Sequence, residues 1–235
     1  IVCIADNIIP HEKRPGDRLF TRYFLRFCDA VVTMSDQVSR DLQLFSNAKP
    51  YRQVSHPLYD HFGEIIPKSI AREKLGIEAN EKMILFFGFI RKYKGLDLLL
   101  EAMADQRLAQ QKIKLLIAGE FYENAKPYQE LIDRLALTDR VVCHTHFIAD
   151  PDIRYYLCAA DAVVQPYRHA TQSGVSPLAY HFERPMIVTN VGGLADGVPD
   201  EKAGLVCEPE SHAIADAILR FYERGEAYFS EGIRI

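Results

Sequence analysis

The stretch of residues 83–100, MILFFGFIRKYKGLDLLL, decides the fold. Residues 83–87 form an unbroken apolar run of strand length. Gly88 ends it, and a loop carrying Arg91, Lys92 and Lys94 runs on to Gly95. From Leu96 the leucines recur at helical spacing, which predicts a helix over 96–104 with Leu98, Leu99 and Met103 facing the core. A strand that feeds a helix through a short loop is the repeating half of a βαβ unit, and such units build parallel sheets.

The same alternation continues in both directions. Downstream, strands are predicted over 113–118, 141–143, 162–164, 186–189 and 204–207. Helices are predicted over 128–137, 152–160, 175–182 and 211–224, the last capped by Ser211. Upstream, strands are predicted over 1–5, 30–33 and 51–54. A helix over 17–27 carries Leu19, Tyr23, Phe24 and Phe27 on one face, and Ser35 is placed to cap another. Residues 56–68 mix two prolines and Gly63 with polar residues, the composition of a linker. The expected fold class is therefore α/β, a Rossmann-like doubly wound parallel sheet. The expected division is residues 1–66, one partial unit plus linker, and residues 67–235, a second unit with a C-terminal helix.

At 235 residues the chain exceeds one typical domain of ~150 residues. Its 48% hydrophobic and 26% charged residues exclude a disordered, collagen-like or disulfide-scaffold protein. No run approaches the ~20 apolar residues of a membrane-spanning helix. The net charge is −4, so no bulk nucleic-acid footprint exists and any polyanion site has to be a local cluster. Cys3, Cys28, Cys143, Cys158 and Cys207 are odd in number, form no CxxC and have apolar neighbours. They read as reduced, mostly buried thiols of a cytoplasmic protein. Cys143, His144 and His146 alone are too few for a metal site and read as the end of a strand. The chain starts at Ile1, so the lack of a leader pattern carries no weight.

In a doubly wound sheet the ligand lies outside the carboxyl ends of the strands. The loops after Phe87, Ala118, Cys143 and Val164 are therefore the places for chemistry. In the first, Arg91, Lys92 and Lys94 are bracketed by Gly88 and Gly95, which let a ligand approach the backbone. An arginine fork with a lysine point charge suits a diphosphate. The loop is neither a P-loop nor a dinucleotide fingerprint. In the loop after Val164, the small residues Thr171, Gln172, Ser173 and Gly174 lead into a helix. Their backbone N–H groups suit an anion, and Ser173 can also serve as a cap.

These segments together resemble a known family. The stretches FFGFIRKYKGLDLL (86–99), IAGE (117–120), DAVVQPY (161–167) and RPMIVTNVGGL (184–194) occur in the order found in GT-B glycosyltransferases. The nearest match is the group 1, or family four, retaining enzymes, and it runs over about residues 83–224. Upstream, IADNIIPHE (4–12) and DAVVTMS (29–35) are similar to the last third of that family's N-terminal domain. The resemblance implies that Arg91 and Lys94 hold the donor diphosphate and that Gly88 and Gly119 lie beside the donor. It implies that backbone groups at Phe147 and Ile148 meet the nucleobase. Residues Thr171, Gln172, Ser173, Gly174 and Val175 fall where phosphate or donor sugar is contacted, and His11 matches a histidine facing the reaction centre.

One departure stands out. The family often carries two glutamates with seven residues between them, and those slots hold Ala170 and Leu178 here. Asp150-Pro151-Asp152 mimics a metal motif but is placed to cap a helix. Gly192 to Gly197 reads as a turn near the cleft, and Glu223, Arg224 and Glu226 as a solvated face. The resemblance implies transfer of a sugar from a nucleoside-diphosphate sugar to a saccharide or lipid-linked acceptor hydroxyl, with no metal and no other cofactor. The setting it implies is cytoplasmic glycan or surface-polysaccharide synthesis, with room for peripheral association at the inner membrane face. About 80 residues precede the strand at 83–87, and two such domains need ~300 in all, so a truncated N-terminal domain and an inactive fragment are expected. The alternative is a module of the same fold that holds a sugar nucleotide without turnover, motivated by the missing carboxylates.

Overall fold

The computed structural model describes residues 1–10, 14–54, 59 and 62–233. It contains two parallel sheets. The first, in the order β1-β2-β3, is built from β1 (Val2–Ala5), β2 (Ala30–Thr33) and β3 (Tyr51–Gln53). They are connected through α1 (Asp17–Arg26) and α2 (Asp36–Phe45). Ser35 caps α2 as expected, its hydroxyl accepting the Val38 N–H at 3.3 Å. The helix α3 (Lys68–Leu75) then leads into the second sheet.

That sheet comprises β4 (Lys82–Phe87), β5 (Ile113–Ala118), β6 (Val141–His144), β7 (Ala162–Gln165), β8 (Met186–Thr189) and β9 (Gly204–Cys207). Its helices are α4 (Leu96–Met103), α5 (Gln106–Gln110), α6 (Lys126–Arg134), α7 (Asp150–Ala159), α8 (Val175–His181), α9 (Ser211–Arg224) and α10 (Glu226–Ile233). The strand order β6-β5-β4-β7-β8-β9 reverses direction between β4 and β7, which creates a crevice at their carboxyl ends. The register sets Leu85 beside both Leu116 and Val163. Alternate residues serve opposite cores, as a sheet covered on both faces requires. Ile84 and Phe86 face one core with residues of α4 and α9, while Met83 and Leu85 face the other with residues of α7 and α8.

Three helices escaped sequence reading: α3, α5 and α10. Helix α3 is polar in sequence, yet Ala71 and Arg72 are buried. Arg72, 3% exposed, donates to the Ala159 carbonyl at 3.0 Å and pairs with Asp161 at 2.9 Å. Asp161 also accepts from Lys68 (2.9 Å), the Met83 N–H (2.7 Å) and the Tyr222 hydroxyl (3.0 Å). Glu226 is not part of a solvated face. It begins α10 and pairs with Arg184 at 2.7 Å and with Lys68.

Other expectations are corrected in detail. Ser211 is the first residue of α9 rather than its cap, which is Glu210. Asp150 likewise begins α7, where its charge and that of Asp152 suit the positive helix end without a capping bond. The apolar face of α1 points outward: Leu19, Tyr23, Phe24 and Phe27 are exposed and Leu25 is buried. Cys143 is exposed, and all five thiols are unpaired. No helix among the described residues is long and apolar enough to cross a membrane.

Candidate functional site

The loop after β4 is clamped on two sides. Its backbone zips to the loop after β5, with Gly88 N–H donating to Ala118 O at 2.9 Å and Ile90 N–H to Glu120 O at 2.8 Å. On the other side the Tyr93 carbonyl accepts the Arg168 N–H at 2.7 Å, and the Arg168 guanidinium pairs with Asp97 at 2.6 Å. Residues Lys92–Lys94 wind into a single tight turn. The turn leaves Lys92 exposed and sets Arg91 and Lys94 on the half-buried side. The Arg91 guanidinium stacks over Tyr122 at 3.9 Å, and the Lys94 ammonium lies 5.5 Å from the centre of the Tyr167 ring. Burial holds the Lys94 ammonium below the ordinary lysine range, with Tyr93 opposing and Arg91 adding to that effect.

Gly88 has φ +95, and a Cβ there would meet Lys94 Nζ at 3.4 Å and Val175 Cγ2 at 3.5 Å. Gly88 is thus the floor between the basic turn and the start of α8. Gly119 is glycine for a different reason. A Cβ on it would lie 2.3 Å from the Gly88 carbonyl, so its bare backbone lets the two loops pack.

A cleft of about 460 Å³ opens between the sheets. One wall is Phe89, Arg91, Tyr93 and Lys94; the other is Asn7, Pro10, Arg14 and Asp17 from the segment after β1. His11 lies outside the described residues. Sequence reading missed Asn7 and Arg14, because nothing in a polar run between a strand and a helix marks which side chains will face another unit.

The loop before α8 also bridges to the segment after β1. Thr171 and Gln172 turn their side chains toward the first sheet. The Thr171 hydroxyl donates to the Asp6 carbonyl at 3.3 Å and contacts Asn7 Oδ1, and Gln172 Nε2 donates to the Asp6 carboxylate at 3.1 Å. Ser173 Oγ accepts the Val175 N–H at 3.1 Å and meets the Tyr167 hydroxyl at 3.3 Å. Gly174 lies close to Tyr59, whose hydroxyl would be 3.7 Å from an added Cβ. The turn at 192–193 packs on this loop, Gly193 N–H donating to Ala170 O at 3.3 Å. Ala170 and Leu178 are buried in the core, so no carboxylate stands at the two glutamate slots.

Phe147 and Ile148 belong to a second cavity of about 350 Å³ beyond β6, lined also by His144, His146 and Tyr156. It shares no lining residue with the first cleft. His144 Nδ1 is 3.2 Å from the Tyr156 hydroxyl and its ring stacks on His146. Among the described residues no group of three His, Cys, Asp or Glu side chains could hold a metal ion.

Residues 81–224 match the family described as glycosyl transferases group 1. A D-inositol 3-phosphate glycosyltransferase of Segniliparus rotundus is 30% identical over 146 residues, covering 60% of this chain and 32% of that protein. Its counterpart from Saccharomonospora viridis is 27% identical over 245 residues, covering 100% of this chain and 52% of that one. The chain thus spans between about a third and about half of the length of these curated relatives. Among solved structures, sucrose-phosphate synthase from Thermosynechococcus elongatus superposes with a TM-score of 0.86 at 22% identity, over 99% of this chain and 61% of that one. Anabaena HepE, solved in complex with UDP-glucose, gives 0.81 at 21% identity, over 99% and 66%. At such identities the likeness speaks for the fold, which is the GT-B glycosyltransferase fold.

Proposed function

Because the chain belongs to the group 1 glycosyl transferases, we propose that it carries the donor site of an enzyme that moves a sugar from a nucleoside-diphosphate sugar to an acceptor hydroxyl. The observation that carries this is the cleft in which Arg91 and Lys94 are presented beside the bare backbone of Gly88. Two cations on a rigid turn can bind the diphosphate and stabilise the charge that grows on it as the glycosidic bond breaks. No metal is required for that role. Arg14, on the opposite wall, adds a third positive charge where donor and acceptor would meet. The cavity at Phe147 and Ile148 is the place for the nucleobase, and the turn at 173–175 for the donor sugar. The acceptor is a saccharide or lipid-linked saccharide, the transfer retains configuration, and the setting is glycan synthesis. UDP-glucose in HepE and the inositol phosphate glycosyltransferases among the relatives support this choice of substrates.

Buried Ala170 and Leu178 favour a second reading, a module that binds the nucleotide without turnover. The longest natural form of the protein, incubated with a panel of nucleoside-diphosphate sugars and saccharide acceptors, separates the two. Acceptor-dependent release of nucleoside diphosphate supports the transferase. Nucleotide binding with silence toward every donor supports the module.

A further inference from the structure

We propose that Tyr167 is a positioning residue that couples the two loops of the cleft, its ring holding the Lys94 ammonium and its hydroxyl holding Ser173. The proposal rests on the reading that Lys94 meets a diphosphate.

Tyr167 follows β7, at the point where the strand order reverses, and only 3% of it is exposed. It is anchored from behind, because its carbonyl accepts the hydroxyl of buried Thr189 at 2.6 Å. Its ring meets Tyr93 edge to face at 6.1 Å and supports Lys94 Nζ at 5.5 Å. Its hydroxyl lies 3.3 Å from Ser173 Oγ, which in turn accepts the Val175 N–H. One side chain thus touches the basic turn and the loop before α8 together. Val175 then closes the circuit over Gly88.

The two contacts do different chemistry. A half-buried ammonium has lost part of its hydration, and an aromatic face returns some of that stabilisation while fixing where the charge sits. The hydroxyl adds a second hold on Ser173 Oγ, which already accepts the Val175 N–H, and so narrows the staggered positions open to that side chain. Phenylalanine would supply the ring contact alone, so the hydroxyl is what joins the loops.

The test is a pair of double-mutant cycles read by calorimetry with UDP, GDP and the bare nucleosides. Tyr167→Leu is expected to weaken diphosphate binding about tenfold, the scale of a desolvated cation–π contact. It should have no further effect in a Lys94→Met background and should leave nucleoside binding unchanged. Tyr167→Phe keeps the packing and is expected to quicken amide hydrogen exchange at Val175 as much as Ser173→Ala does, with no further gain when the two are combined. Full additivity in both cycles, or equal loss of nucleoside affinity, makes Tyr167 an ordinary core residue and overturns the coupling while the diphosphate reading stands. Failure of the unaltered protein to bind either diphosphate overturns that reading and the coupling with it.

Discussion

The Arg91 guanidinium lies 3.9 Å from the centre of the Tyr122 ring, so the loop after β5 holds the first cation of the loop after β4. Stacking on an aromatic face fixes the plane of the guanidinium and so the direction of its charge. Neighbouring loops at the crevice thereby supply both the charges and their supports.

Arg91→Ala and Lys94→Ala should each weaken nucleoside diphosphate binding by about 1.5–3 kcal/mol, the range for hydrogen bonds to charged groups. Binding of the bare nucleoside should change little. Lys92→Ala should cost far less, since that side chain is exposed. Calorimetry on the three variants checks this; equal losses from all three would mean a diffuse basic patch.

Diphosphate affinity should fall with rising pH earlier than an exposed lysine would dictate. Burial depresses the Lys94 value, and its charge contributes only while the proton is bound. The contribution is full at low pH and is lost as pH rises through that lowered value. For folding the sign is opposite: the unfolded chain binds the proton more tightly, so this residue's term in stability rises with pH across the same window. Lys94→Arg should flatten the binding profile, because a guanidinium keeps its proton. A flat profile in the unaltered protein would remove Lys94 from the site.

Asp161→Ala should destabilise the fold by about 3–5 kcal/mol, because it leaves the buried Arg72 charge uncompensated. Urea denaturation measures the loss. The site lies at the opposite ends of the strands, so folded Asp161→Ala protein should bind diphosphate with unchanged affinity. A parallel loss of affinity would contradict that separation.

Thr171→Val should remove about 1 kcal/mol of contact between the loop before α8 and the segment after β1. Faster hydrogen exchange in β1, with β4 and β5 unchanged, is the expected signature. Unchanged exchange at Asp6 and Asn7 would show that the contact holds nothing in place.

The strands of the second sheet were legible because they are built on short apolar runs, as in residues 83–87 before Gly88, whereas β3 is the exposed Tyr51-Arg52-Gln53. Helix α3 was not, because its buried face includes Arg72, whose burial depends on Asp161 far along the chain. Glu226 was misread for the same reason: Lys68 and Arg184 are remote partners. In the site, Arg91 and Lys94 stood out as cations between a strand and a helix. Tyr167 did not, since an aromatic residue after a strand reads as ordinary core until Lys94 and Ser173 are found on either side of it. The side-chain contacts of Thr171 and Gln172 with Asp6 were not legible either, since their partner lies some 165 residues away in sequence.

The most direct test of the account is titration of the isotopically labelled chain with UDP and GDP, following backbone amide shifts. Saturable shifts are expected at Gly88, Arg91 and Lys94, abolished by the Arg91→Ala and Lys94→Ala pair. Silence of these amides at millimolar nucleotide, or shifts confined to residues distant from the cleft, would contradict it.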